Sequence, residues 1–196
     1  MALPTSIVLA SASPRRAELL RAAGFAFDVV PAHVDERVHD AELPAAYVRR
    51  VAIDKARAIS QQRPGHIVLA ADTTVVVDRH ILAKPEDDGD ARRMLRLLSD
   101  RSHHVLTGVA VASQSGIDSA VAMTTVQFAP LSDEEIAWYI STGEPADKAG
   151  AYGIQGLASR FVTRIEGSYS NVVGLPVALV YEMLKPLTAL SGAARR

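Results

Sequence analysis

The stretch "SIVLASASPRRAELLRAAG", residues 6–24, sets the frame in which the rest of the chain reads. "SIVLA" is a short apolar run suited to one buried strand. Small residues follow at Ser11, Ala12 and Ser13. Ser13 is a good N-cap, Pro14 suits the first helical position, and Gly24 stops the helix. Arg15 and Arg16 then stand in the first turn. A helix N-terminus carries about half a positive charge and favours acidic neighbours. Two arginines there make sense if an anion is meant to sit beside them. Free N–H groups at a helix start bind phosphate, and arginine adds planar donors matched to phosphate oxygens. The stretch lacks the glycines of a Walker loop or a dinucleotide fingerprint. Locally, the alternative is two solvated surface charges on an ordinary first turn.

Working outward, "FAFDVVPA" is strand-like and leads into the polar loop "HVDERVHD". Pro44 opens a second helix through about Ile59. "HIVLAADTTVVVDRHILA" reads as two strands joined by a turn near Asp78, Arg79 and His80. "DARRMLRLLSD" is a helix whose apolar face is Ala91, Met94, Leu95 and Leu98. The strands "HVLTGVAVAS" and "SAVAMTTVQFA" flank a turn at Ser115 and Gly116. "SDEEIAWYIST" opens with Ser132 and Glu135 at capping-box spacing. A glycine-rich loop, "KAGAYGIQG", precedes the strand "RFVTRI", the loop "EGSYSNVVG" and a last helix from about Pro176 to Leu184. "SGAARR" reads as a frayed tail. Intermixed helices and strands give an α/β or α+β class with a mixed sheet. No cut point separates independent domains, so a single domain over residues 1–196 is expected.

Composition narrows the function. A formal net charge of -1 gives no global pull toward nucleic acid or membrane. The chain has no cysteine, which excludes disulfides, thiolate metal sites and cysteine nucleophiles. The opening "MALPTSIVLASASP" lacks a signal peptide's basic and long apolar regions, and no apolar run approaches the roughly 18 residues of a membrane helix. A cytoplasmic location is expected.

Several further residues are chemical candidates. Lys55 falls on the apolar face Val48, Val51, Ala52, Ala56, Ile59, where a lysine either snorkels to the edge or reaches into a cleft. In "LAADTT" an apolar strand is expected to end in Asp72. There it is placed to hold a metal or a water, or it is a turn aspartate bonding its own backbone. Lys84 precedes a proline, so its backbone is extended and fixed; an ordinary surface lysine is the alternative. Gln155 offers a donor and an acceptor to a base edge, in a loop whose glycines also suit a plain tight turn. Asp35 and Glu36 are paired acids that fit either a metal or a solvated loop. The histidines show no metal-ligand spacing and read as surface or core-edge residues.

Taken together the chain resembles the Maf family (septum formation inhibitor Maf, nucleoside triphosphate pyrophosphatases). The matching text is "LASASPRRAELL", "VDE", Lys55-Ala56, "AADTTVV", "ILAKP", "RMLRLLS", "SHHVLTGV", "GEPADKAGAYGIQG" and "GSYSNVVGLP", in order from Ile7 to about Leu184. Asp100 in "LSDR" stands where the family often has glycine, a change expected to affect only a turn.

The resemblance implies an α/β fold like that of inosine triphosphatase. A mixed twisted sheet is flanked by helices, in two lobes about a central cleft, commonly as a homodimer. It implies hydrolysis of a nucleoside triphosphate to the monophosphate and pyrophosphate with a divalent cation, magnesium or manganese. The implied cellular role is housecleaning of the nucleotide pool, with a link to division arrest. Arg15, Thr73 and Gln155 match the branch acting on dTTP and UTP and would read the base. Ser11, Ser13, Arg16, Lys55 and Lys84 would hold the phosphates, with Lys84 counted among the catalytic groups. Asp72 would be the general base, and Glu36 a metal ligand or second acid, so Glu36 and Asp72 are the expected metal ligands. Two rivals stand beside this reading: a nucleotide-binding regulator of septum formation without turnover, and a 7-methyl-GTP pyrophosphatase. No nucleic-acid or membrane partner is expected.

Overall fold

The structure, a computed structural model, describes residues 7–193. In chain order its elements are β1 (Ile7–Leu9), α1 (Pro14–Ala22), β2 (Phe27–Val29), α2 (Pro44–Gln62), β3 (Ile67–Val77), β4 (His80–Leu82) and α3 (Asp88–Leu98). They continue with β5 (Ser102–Ser113), β6 (Gly116–Phe128), α4 (Asp133–Ser141), three short 3-10 turns between Glu144 and Phe161, β7 (Val162–Glu166), α5 (Tyr169–Val173) and α6 (Val177–Ala193). The expected mixed α/β sheet with flanking helices is what forms. Its strands run in the order β2-β1-β3-β5-β6-β7, with β4 beside β3. The β1 strand pairs parallel with β2 and β3, whereas β4 and β7 pair antiparallel with β3 and β6.

The described chain divides into two compact units. The first holds residues up to Asp72, Thr107–Ala122 and the segment from Gly174; the second holds Thr73–Leu106 and Met123–Val173. Strands β3, β5 and β6 contribute to both.

In the first unit the period-two rule of strands sorts the core. Ile7, Leu9, Leu69, Ala71, Val109 and Val111 share one cluster with Leu20 of α1 and Val180 and Leu184 of α6. The alternate residues Val8, Ala10, Val68, Ala70, Ala110 and Ala112 share the other, with Ala52, Ala56 and Ile59 of α2. Alanines dominate that second cluster, so α2 lies close to the sheet. At Gly108 a Cβ atom would stand 2.2 Å from the Val48 carbonyl oxygen of α2. Only glycine allows that approach.

In the second unit the amphipathic face of α3 is the expected one, with Ala91, Met94, Leu95 and Leu98 buried. The capping box of α4 forms: Ser132 Oγ accepts from Glu135 N at 3.2 Å and Glu135 Oε2 from Ser132 N at 2.8 Å. Aromatic edges meet in its core, with ring centroids 4.8 Å apart for Phe128 and Tyr152 and 5.4 Å for Tyr139 and Phe161. Asp78 and Arg79 both take positive φ, 47° and 68°, as a two-residue hairpin turn matched to strand twist requires. Asp100, at φ 56°, occupies a turn position that favours glycine, in keeping with its expected local effect.

Several boundaries differ from the sequence reading. Helix α2 runs to Gln62 and α6 to Ala193, continuing through Pro186. "EGSYSNVVG" contains the short helix α5, and β6 begins at Gly116. Of the expected frayed tail, Ser191 to Ala193 belong to α6, and residues 194–196 lie outside the described residues.

Candidate active site

The first unit brings six of the sequence candidates into two contact groups. The opening stretch supplies the first. Ser11 and Arg16 are buried at 5% and 9% exposure, against the expectation for a solvated first turn. Arg16 Nη1 donates to Ser11 Oγ at 3.1 Å, and Arg16 Nε donates to the Gly174 carbonyl at 2.8 Å. The guanidinium is therefore clamped in one orientation. Burial pulls its proton affinity below the usual arginine range, opposed by the negative charges of Asp72 and Glu36. Arginine stays protonated under such shifts. Ser13 occupies the N-cap position without a side-chain cap bond; instead its backbone N–H donates to Ser11 Oγ at 3.2 Å. No acidic residue lies in the first turn of α1, so the charge of the helix end is not answered within that turn. Arg15 is half-buried beside it.

The second group is an ion cluster. Asp72 extends the series Val68, Ala70, so the pleat turns it to the side covered by α2. Lys55 projects from that helix three residues after Ala52 and one before Ala56. Its Nζ donates to Asp72 Oδ1 at 2.8 Å and pairs with Glu36 Oε1 at 2.8 Å. The Lys55 and Asp72 side chains are each 8% exposed, while Glu36 is 48% exposed. One ammonium thus faces two carboxylates, which leaves the cluster with an excess negative charge. Lys55 does not snorkel; it reaches inward. Asp72 is not at a strand end, because β3 continues five residues beyond it to Val77. The apolar run breaks there in sequence, but the β-branched Thr73, Thr74, Val75, Val76 and Val77 carry the strand on.

Of the paired acids, only Glu36 joins the cluster. Asp35 is taken by Arg37, whose Nη2 donates to Asp35 Oδ2 at 2.7 Å, and this pairing holds the Asp35 carboxyl below its usual range. Two residues not singled out in the sequence steady the irregular loop that carries Glu36. Tyr47 donates its hydroxyl to the Glu36 carbonyl at 2.9 Å. Burial, with the Asp72 and Glu36 charges, pushes that phenol up to about 12. Arg50 forks onto Glu42 at 2.7 and 2.8 Å and donates to the Arg37 carbonyl at 2.9 Å. Their sequence signal was spacing: Tyr47 and Arg50 lie three apart on α2 and five or more residues before Lys55.

Thr73, Lys84 and Gln155 belong to the second unit. Thr73 is half-buried on β3, Lys84 is exposed just after β4, and Gln155 is exposed in the glycine loop. The Ala83 carbonyl accepts from Gly150 N at 3.1 Å, tying the loop to the segment that carries Lys84. One histidine departs from the surface or core-edge reading. His103 is 1% exposed, with Nε2 in a 2.7 Å hydrogen bond with Tyr152 Oη.

The donor set bears on a divalent cation. Among the described residues no group of three or more histidine, aspartate or glutamate side chains is arranged to hold a metal. Magnesium in phosphate chemistry is held by one or two carboxylates, with substrate oxygens and waters completing the shell. Asp72 and Glu36, converging on one cationic nitrogen, are such a pair. The residues present fit that kind of ion, completed by a phosphate ligand.

The family described as Maf-like protein matches residues 6–187. A Koribacter versatilis protein named dTTP/UTP pyrophosphatase is 55% identical over 184 residues, covering 93% of this chain and 95% of its own. A protein of the same name from Anaeromyxobacter dehalogenans is 56% identical over 183 residues, covering 91% and 92%. Among solved structures, the Staphylococcus aureus Ham1 protein aligns with 64% of this chain and 72% of its own at 15% identity, with a TM-score of 0.48. Among the described residues no helix is long and apolar enough to cross a membrane.

Proposed function

The chain belongs to the Maf family, and on that premise we propose that it hydrolyses dTTP and UTP to the nucleoside monophosphate and pyrophosphate. One pyrophosphatase domain over residues 1–196, built from the two units, is part of this reading. So are a cytoplasmic location and a homodimer, both carried by the family resemblance. The observation that supports the reading most is the Lys55 ammonium held at 2.8 Å from both Asp72 and Glu36. A pure nucleotide sensor needs cations for phosphates and has no use for two acids beside them.

In this reading Ser11, Ser13, Arg16 and Lys55 bind phosphate oxygens, and Lys84 adds a further positive charge. Arg16 is already fixed by Ser11 and Gly174, so little rotamer entropy remains to be lost on binding. Lys55 holds Asp72 Oδ1, which orients the carboxylate so that Oδ2 accepts a proton from the attacking water. Glu36 and Asp72 would hold a magnesium or manganese ion. When bound, that ion neutralises charge on the phosphates and the leaving pyrophosphate. Catalysis rests mainly on positioning and charge neutralisation, as in other phosphoryl transfers. Arg15, Thr73 and Gln155 are proposed to read the base.

The test is product chromatography after incubation, with magnesium or with manganese, with each of dTTP, UTP, CTP, dGTP and 7-methyl-GTP in turn. Monophosphate and pyrophosphate from dTTP and UTP alone is the expected result. Cleavage of 7-methyl-GTP instead would keep the chemistry and overturn the base assignment. Binding without cleavage in either metal would point to the regulator.

A further inference from the structure

We propose that Glu144 is a positioning residue that sets base selectivity by fixing the turn that presents Gln155; this rests on Gln155 reading the base. The turn runs from Gly153 to Gly156, closed by a hydrogen bond from Gly156 N to the Gly153 carbonyl at 3.0 Å. Its two corner residues part company: Ile154 is 7% exposed and anchors in the core, and Gln155 points to solvent. Such a turn by itself is a soft support, since a backbone of glycines costs entropy to order.

Glu144 supplies the stiffness. Its Oε1 accepts from the Tyr139 hydroxyl at 2.8 Å, and its Oε2 accepts from Leu157 N at 2.9 Å. Oε1 also accepts a longer bond from Ala158 N at 3.5 Å. Tyr139 Oη in turn accepts from Gly153 N at 3.3 Å. The carboxylate therefore reaches both ends of the turn, directly beyond Gly156 and through Tyr139 at Gly153. Burial and the Glu144 contact push the Tyr139 phenol up, so it remains a donor. The fit leaves no slack. A Cβ on Gly156 would lie 2.4 Å from each Glu144 oxygen, and one on Gly153 would lie 2.6 Å from Lys148 Cε. Lys148 locks the same support, its Nζ donating to the Glu144 carbonyl at 2.7 Å and to Asp147 Oδ1 at 2.7 Å. The glycines thus serve a close approach to a carboxylate as well as a turn.

Steady-state kinetics on UTP and CTP test this with Glu144→Gln, Gly156→Ala, Gln155→Ala and the double variant Glu144→Gln/Gln155→Ala. Glutamine keeps the shape but turns an amide N–H toward the Leu157 N–H. Gly156→Ala strains the same contact from the other side. Each should lower the UTP-to-CTP ratio of kcat/KM by about tenfold, the size of one lost hydrogen bond between neutral groups, mostly through KM. The double variant should be no less selective than Gln155→Ala alone, because both changes remove one interaction. Glu144→Asp should restore part of the ratio. If Gln155→Ala lowers the ratio while Glu144→Gln and Gly156→Ala keep it, the role of Glu144 is overturned and the base reading stands. If Gln155→Ala keeps it, the base reading itself fails, and the proposal with it.

Discussion

The ion cluster on α2 and β3 and the glycine turn after α4 solve opposite problems. The cluster buries charge. Lys55 and Asp72 are both nearly inaccessible, and such charges are tolerable only when their partners are fixed. They are accordingly mounted on α2 and on β3, in a sheet that α2 approaches so closely that only glycine fits at position 108 of the neighbouring strand β5. The turn buries little and exposes Gln155. Its shape comes from one carboxylate that gathers donors from Tyr139, Leu157 and Ala158. The lesson is a division of labour. The two buried charges, Lys55 and Asp72, sit on regular elements, and the exposed Gln155 sits on a turn stiffened by the Glu144 carboxylate.

The comparison breaks most visibly if Lys55 is lost. Lys55→Met leaves Asp72 and Glu36 without their shared cation, and removing one partner of a buried pair destabilises by about 3–5 kcal/mol. Urea unfolding should show that loss in the midpoint, with UTP turnover falling alongside it. Gly108→Ala is next. Its methyl group would force α2 off the sheet at a cost of about 1–3 kcal/mol. Because Lys55 rides on α2, pyrophosphate release should fall by more than the loss of folded protein accounts for. A smaller effect separates the two regions by pH. The second unit buries its titratable group neutral: burial, with a lesser push from His104, lowers His103 from 6.5 to about 3. As pH falls below 6.5 the unfolded chain takes up this proton and the folded chain does not. Stability therefore declines from pH 6.5 toward about 3, and thermal melts of His103→Gln should show a shallower decline over that window.

The two regions were not equally legible in the sequence. Lys55 was visible because three-and-four spacing put a charge on an apolar face, and the same arithmetic found the buried stripe of α3. Asp72 was visible as a lone acid in an apolar run. Its place in mid-strand was not, because apolarity ends at Ala71 while β-branching, and with it the strand, goes on to Val77. The last helix reads in sequence as ending near Leu184, yet α6 continues through Pro186 to Ala193. The exposed Glu36 stood out only through the motif "VDE". Glu144 lies in the motif "GEPADKAGAYGIQG", but nothing there marked it out as a support. A glutamate between glycine and proline reads as solvated, and its partners at Tyr139, Leu157 and Ala158 are neighbours only once the three 3-10 turns have folded back. Tertiary hydrogen bonds of this kind leave no period for a sequence to display.

In the proposed mechanism the buried acid performs the chemistry while the turn selects the base. The most direct measurement is UTP and CTP binding by the Asp72→Asn variant, with pyrophosphate release followed in the same samples. The account predicts that UTP is still bound in preference to CTP while turnover drops by about 10²–10⁴-fold, the range of a lost general acid–base group. Wild-type turnover, or loss of the binding preference together with turnover, would contradict it.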